Sequence, residues 1–249
     1  MHRLYANVLN ETEKLYRQKK TKVIVVLTVL VPVLSAFLMN SVQQNLGIVL
    51  GEGRDFPLIM LSLFTAVLLP FILFMMAADM FSGEAASRTL KNMLVRPIAR
   101  SKIFVSKVLV IALFILAELG IIWLTSFVTG LFMTSESMLP VIFEGIMAYE
   151  LSFFPMMVLG LIAVLIAVCV DSSIGAFALS TLVYIVAKLL PYIFPQAAAW
   201  SAFTYTDWHM MWIGNAVFTG NLIQVFTLLL SSCIISFTAG WYLFEKKQF

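Results

Sequence analysis

The chain has 249 residues, of which 61% are hydrophobic and 12% charged, and its mean hydropathy is +0.99. A soluble domain is usually about half apolar and a quarter charged, so an ordinary globular protein is excluded and an integral membrane protein indicated. The net charge of +3 does not speak for nucleic acid, because the positive residues follow topology. At about 20 residues per span plus connections, six or seven spans fit and a large soluble domain does not.

The first 21 residues are polar overall, yet residues 2–18 separate cleanly when wound as a helix. Leu4, Tyr5, Val8, Leu9, Thr12, Leu15 and Tyr16 share one face, while His2, Arg3, Asn7, Asn10, Glu11, Glu13, Lys14, Arg17 and Gln18 take the remainder. That pattern predicts a helix lying in the membrane interface, apolar side down and basic residues towards lipid phosphates. The first apolar run, 23–39, is not followed by a clear small-residue cleavage site and is read as a retained span. The second covers 57–78. Pro32, Pro70 and Pro155 fall inside apolar runs, where neighbouring helices can re-satisfy the carbonyls that proline frees.

Residues 79–107 interrupt the apolar pattern and hold six of the sixteen Lys and Arg residues. Ser82 is placed to cap a new helix with Glu84 in its first turn. Ala86, Leu90, Met93 and Leu94 then share a face, with Glu84, Arg88 and Lys91 turned away, and Pro97 limits the element. About three turns result, too short to span, with an apolar ridge that something must cover. A groove on another protein and the lipid interface are both candidates, and the residues alone leave the choice open.

The third span is expected over 108–132. Glu118 lies about ten residues into it, near the midplane, where a carboxylate must be paired, protonated or turned inward. A substrate-pathway contact and a structural hydrogen bond are its two readings. Lys188 is the opposite charge in the most similar surroundings, although it can also snorkel outward. The fourth and fifth spans, 151–170 and 174–192, flank the short connection Asp171, Ser172 and Ser173. Residues 193–221 are apolar and aromatic, with three of the five tryptophans, but Asp207 and His209 break them. Short helices dipping into the outer leaflet are expected there, because Trp and Tyr favour the interface. The sixth span covers 222–244. Cys169 and Cys233 show no metal-ligand or CxxC spacing and are expected to be small buried hydrophobes.

With both termini cytoplasmic, fourteen of the sixteen Lys and Arg residues fall inside, leaving Arg54 and Lys188 for the outer half. The outer loops would then carry Glu52, Asp55, Glu136, Glu144, Glu150 and Asp207. That asymmetry favours an even number of spans. The expected fold is therefore all-α: a single polytopic membrane domain over 1–249, with an interfacial helix in 1–21, a cytoplasmic loop in 79–107, six spans, and an outer re-entrant segment in 193–221.

The order Glu84, Arg88-Thr89-Leu90, Leu94, Pro97, Arg100 and Lys107 resembles the cytoplasmic loop of the ABC-2 family of ABC transporter permeases, although Arg88 stands where that family commonly has Gly. Asn10-Glu11, Lys14 and Arg17 are similar to the family's opening segment, and the resemblance extends over the whole chain. It implies that 79–107 contains a coupling helix seated in a cleft of a separate ABC ATPase subunit. Glu84, Arg88, Thr89, Leu90, Lys91, Leu94 and Pro97 would make or support that contact, and Asp171 would add a minor one. It further implies a second permease copy or a homologous permease, a bacterial plasma membrane, and export of a hydrophobic or amphiphilic peptide or drug. None of the twelve glycines precedes a lysine, so GxxxxGK[ST] is absent. ATP and Mg would be bound by the partner, and no catalytic, cofactor or metal site is expected in this chain.

Two other classes compete. A secondary transporter or channel would need no ATPase, but it predicts inverted repeats, which the sequence does not display. An intramembrane protease is poorly supported: His2 and His209 are the only histidines, and no HExxH occurs.

Overall fold

A computed structural model describes residues 2–46, 53–87, 99–134, 139–198, 200–212 and 219–247. In chain order the elements are α1 (His2–Arg17), α2 (Lys19–Leu46), α3 (Phe56–Ala86), α4 (Arg100–Met133), α5 (Leu139–Cys169), α6 (Ser173–Ile193), α7 (Pro195–Ala198), the 3₁₀ segment α8 (Ala202–Met211) and α9 (Thr219–Lys246). Among the described residues, six helices are long and apolar enough to cross a membrane, namely α2 to α6 and α9. The protein is an all-α, multi-pass membrane protein.

Helix α5 is the centre of the bundle and packs against α3, α4, α6, α8 and α9. Helix α2 instead leans on α4 and α1. At one end of the bundle Phe81 packs edge to face on Phe104 and Phe244, and Phe104 edge to face on Phe237, a geometry that ring quadrupoles favour. The ring of Phe104 lies so close to Gly240 that a Cβ there would meet it at 3.2 Å.

Helix α3 shows how the apolar pattern tolerates irregular backbone. It widens into π-helix at Phe64–Leu68, just before Pro70, and again at Ala78–Gly83. Pro70 has no N–H for the carbonyl of Ala66, four residues earlier. The hydroxyl of Tyr184, on α6, donates to that carbonyl at 2.6 Å. A Tyr184→Phe substitution leaves the carbonyl without its partner and is expected to cost about 1–3 kcal/mol. A lowered thermal midpoint with unchanged membrane insertion would verify it.

Four expectations are corrected. Ser82 does not cap a new helix, because α3 runs through it to Ala86 and its hydroxyl donates to the carbonyl of Ala167 at 2.7 Å. Glu144 and Glu150 are not in a loop but within α5, which starts at Leu139. Glu11 is not on an outward polar face: it is buried, and α1 is rotated so that Glu11, Leu15 and Val8 face the bundle while Tyr5, Leu9 and Tyr16 stay exposed. Cys169 is exposed at the end of α5, and Cys233 is half-buried.

Candidate functional site

The densest charge cluster lies at the end of the bundle that carries both chain termini. Lys107 opens the apolar part of α4, and its side chain is completely buried. Its ammonium donates to Glu84 at 2.8 Å and to Glu11 at 3.1 Å, and Lys14 closes the chain by donating to the other oxygen of Glu84. One buried cation therefore sits between two carboxylates, and the second, more exposed lysine balances the charge. Buried charges persist when they are paired and hydrogen-bonded. Three separate stretches are joined by this network: α1, the end of α3 and the start of α4.

A second layer extends the tie. Asp79 accepts from Lys20 of α2 at 2.7 Å and from the hydroxyl of Ser173, at the start of α6, at 2.6 Å. Arg100 donates to the carbonyls of Glu245 and Lys247, at the C-terminal end of α9. Asp171 is exposed and pairs with Lys247, while Ser172 caps α6 by accepting from the N–H of Gly175. The 171–173 connection thus has a complete local explanation as a capped polar turn.

Glu84 and Lys107 stand on the two helices that the 88–98 connection joins. Arg88, Thr89, Leu90, Lys91, Leu94 and Pro97 lie outside the described residues. Of the sequence-derived coupling set, Glu84 is the member whose surroundings are visible, and it is held inside the bundle.

Glu118 is buried and does not meet Lys188. Its Oε2 lies 2.7 Å from the hydroxyl of Thr28, on α2, and its Oε1 has no partner among the described residues. Lys188 donates to Thr206 of α8 at 2.6 Å instead of snorkelling away.

The opposite end of the bundle is closed by α8. Trp208 is buried and its indole N–H donates to the carbonyl of Leu151 at 2.7 Å. His209 is also fully buried, with Nδ1 3.2 Å from Ser152 and Nε2 3.4 Å from Ser62. Ser152 gives its own proton to the carbonyl of Ala148. Nδ1 must therefore carry the ring hydrogen and donate to Ser152, leaving Nε2 to accept from Ser62. Nearby, Asp207 accepts from Thr65 at 3.0 Å. Burial lowers the His209 pKa to about 4, although the Asp207 charge opposes the shift.

An unfolded histidine titrates near 6.5, so between about pH 6.5 and 4 the unfolded chain binds a proton that the folded one refuses. Stability is therefore expected to fall as pH drops through that window, by roughly 3 kcal/mol at its lower edge. A His209→Gln variant should show a flatter dependence of thermal midpoint on pH, and a slope equal to that of the unsubstituted protein would contradict the assignment. Sequence reading expected short helices in this region but not the buried histidine, because its two serine partners lie 57 and 147 positions away.

Among the described residues, no group of three His, Cys, Asp or Glu side chains is arranged to hold a metal. No individually curated protein matches the chain. A family model described as ABC-2 family transporter protein matches residues 8–189, a stretch that runs from α1 nearly to the end of α6.

Proposed function

This chain belongs to the ABC-2 transporter family, and from that premise we propose that it is the permease subunit of an ATP-driven exporter. A separate ABC ATPase subunit would bind ATP and Mg and supply the work. A second copy of this chain, or a related permease, would complete the transport path. The end of the bundle that carries α1, Lys107 and both termini would face the cytoplasm, in keeping with its excess of Lys and Arg. The cargo would be a hydrophobic or amphiphilic peptide or drug, and the membrane a bacterial plasma membrane.

The observation that supports this reading best is the buried Glu11–Lys107–Glu84–Lys14 network. It clamps together the two helices that bear the 88–98 connection and anchors both to α1. A force applied to that connection would be passed to α3 and α4 as rigid elements instead of being absorbed by loose ends. Leu90 and Leu94 would supply the apolar ridge that enters the ATPase cleft, with Arg88, Thr89, Lys91 and Pro97 beside it and Glu84 supporting from within. Asp171 would make a minor contact at the neighbouring turn. Glu118 would become a pathway group if α2 moved away from α4, which would break its bond to Thr28.

Reconstitution tests the proposal. The chain would be placed in lipid vesicles with a candidate ABC ATPase subunit, and ATP hydrolysis measured across candidate cargoes. Hydrolysis that requires the second polypeptide and rises with one cargo is expected. Cargo movement by this chain alone, without ATP, would overturn the exporter reading.

A further inference from the structure

We propose that the groove between α4 and α5 binds an organic cation carrying an aliphatic tail, with its ammonium seated against Glu150. The inference goes beyond the exporter reading and does not depend on it. Glu150 lies about two turns inside the fourth membrane-crossing helix, Ile142–Cys169, and it is exposed on the side of the bundle. Among the described residues no cation pairs with it. A carboxylate in that position is costly against lipid and calls for a partner.

The surroundings fit a partner that is greasy at one end and positive at the other. Glu150 borders a groove of about 240 Å³ whose walls include Leu116, Leu119, Ile146 and the indole of Trp123. The indole can lie over α5 because residue 145 is glycine: a Cβ there would come within 3.1 Å of the ring nitrogen. That buried nitrogen has no acceptor among the described residues. The ring also stacks on Phe127, with centroids 5.6 Å apart, which fixes its orientation. Gly120 supplies the space, since a Cβ at that position would have nothing within 4 Å. The hydroxyl of Tyr149, which also lines the groove, is already committed to the carbonyl of Pro57 and to Ser126. Glu150 therefore remains as the charged group, with an aromatic ring beside it that also attracts cations. Aliphatic walls next to a lone carboxylate select against anions and against small hydrophilic cations.

The test is binding of tritiated dodecyltrimethylammonium to the intact chain in maltoside micelles. Saturable binding is expected, displaced by the unlabelled cation and not by dodecyl sulfate. Glu150→Gln should weaken it at least tenfold. Gly120→Leu should do the same by filling the groove, while leaving the carboxylate in place. Thermal midpoints of both variants report whether the fold is retained, and the glycine variant keeps the test decisive if the first is unstable. Equal binding by folded Glu150→Gln, or uptake that never saturates, would overturn the proposal. So would an absence of binding together with a self-association that Glu150→Gln abolishes, because the groove would then belong to a second copy of the chain.

Discussion

Replacing Lys107 by Met is expected to unfold the basic end of the bundle. The substitution keeps an aliphatic stem of similar length but removes the ammonium, so Glu11 loses its ion-pair partner and Glu84 loses one of its own. Breaking a buried ion pair from one side typically costs about 3–5 kcal/mol, a large share of the about 5–15 kcal/mol that holds a typical protein together. Uncharged replacements at all three positions, Lys107→Met with Glu11→Gln and Glu84→Gln, should recover most of the loss, because no carboxylate is then stranded. Thermal midpoints of the purified variants would check both results. A single Lys107→Met variant as stable as the unsubstituted protein would show that the charge network does not hold the frame.

Leu90→Asp combined with Leu94→Asp is expected to release the ATPase partner while the permease still inserts and folds. Each leucine buried in a cleft contributes about 2 kcal/mol. Losing both, before counting the cost of burying two carboxylates, weakens association by about 4 kcal/mol, roughly a thousandfold. The substitutions leave Glu11, Lys14, Glu84 and Lys107 in place, so the thermal midpoint should be unchanged. Copurification of the ATPase with the double variant at normal yield would rule out this ridge as the docking surface.

The sequence made the framework legible because hydrocarbon imposes a simple rule: runs of about 20 apolar residues with polar ends. All six spans follow from it, and the short helices 195–198 and 202–211 from the aromatic stretch that Asp207 and His209 break. Their ends did not. Helix α5 begins well before residue 151, since a charged side chain such as Glu144 or Glu150 does not by itself end a helix, and α3 continues through Asp79 and Ser82, whose side chains find partners on neighbouring elements. Lys107 looked like a residue of the inner rim, and Glu11 like one facing outward. Each is tolerated within the protein because it meets the other, a pairing across 96 positions that local periodicity does not report. Gln18, Glu11 and Leu4 occupy adjacent angles on α1, so a modest rotation moves the buried face onto the polar edge. Tyr184 and His209 were hidden for the same reason, since their partners come from distant helices.

Residues 88–98 are proposed to dock on a separate ATPase subunit. The most direct measurement places a photocrosslinking amino acid at Leu94 in living cells and identifies the adduct by mass. An adduct with an ATP-binding cassette polypeptide is expected, with a yield that changes when ATP is depleted. Adducts with membrane lipid alone, with or without ATP, would contradict it.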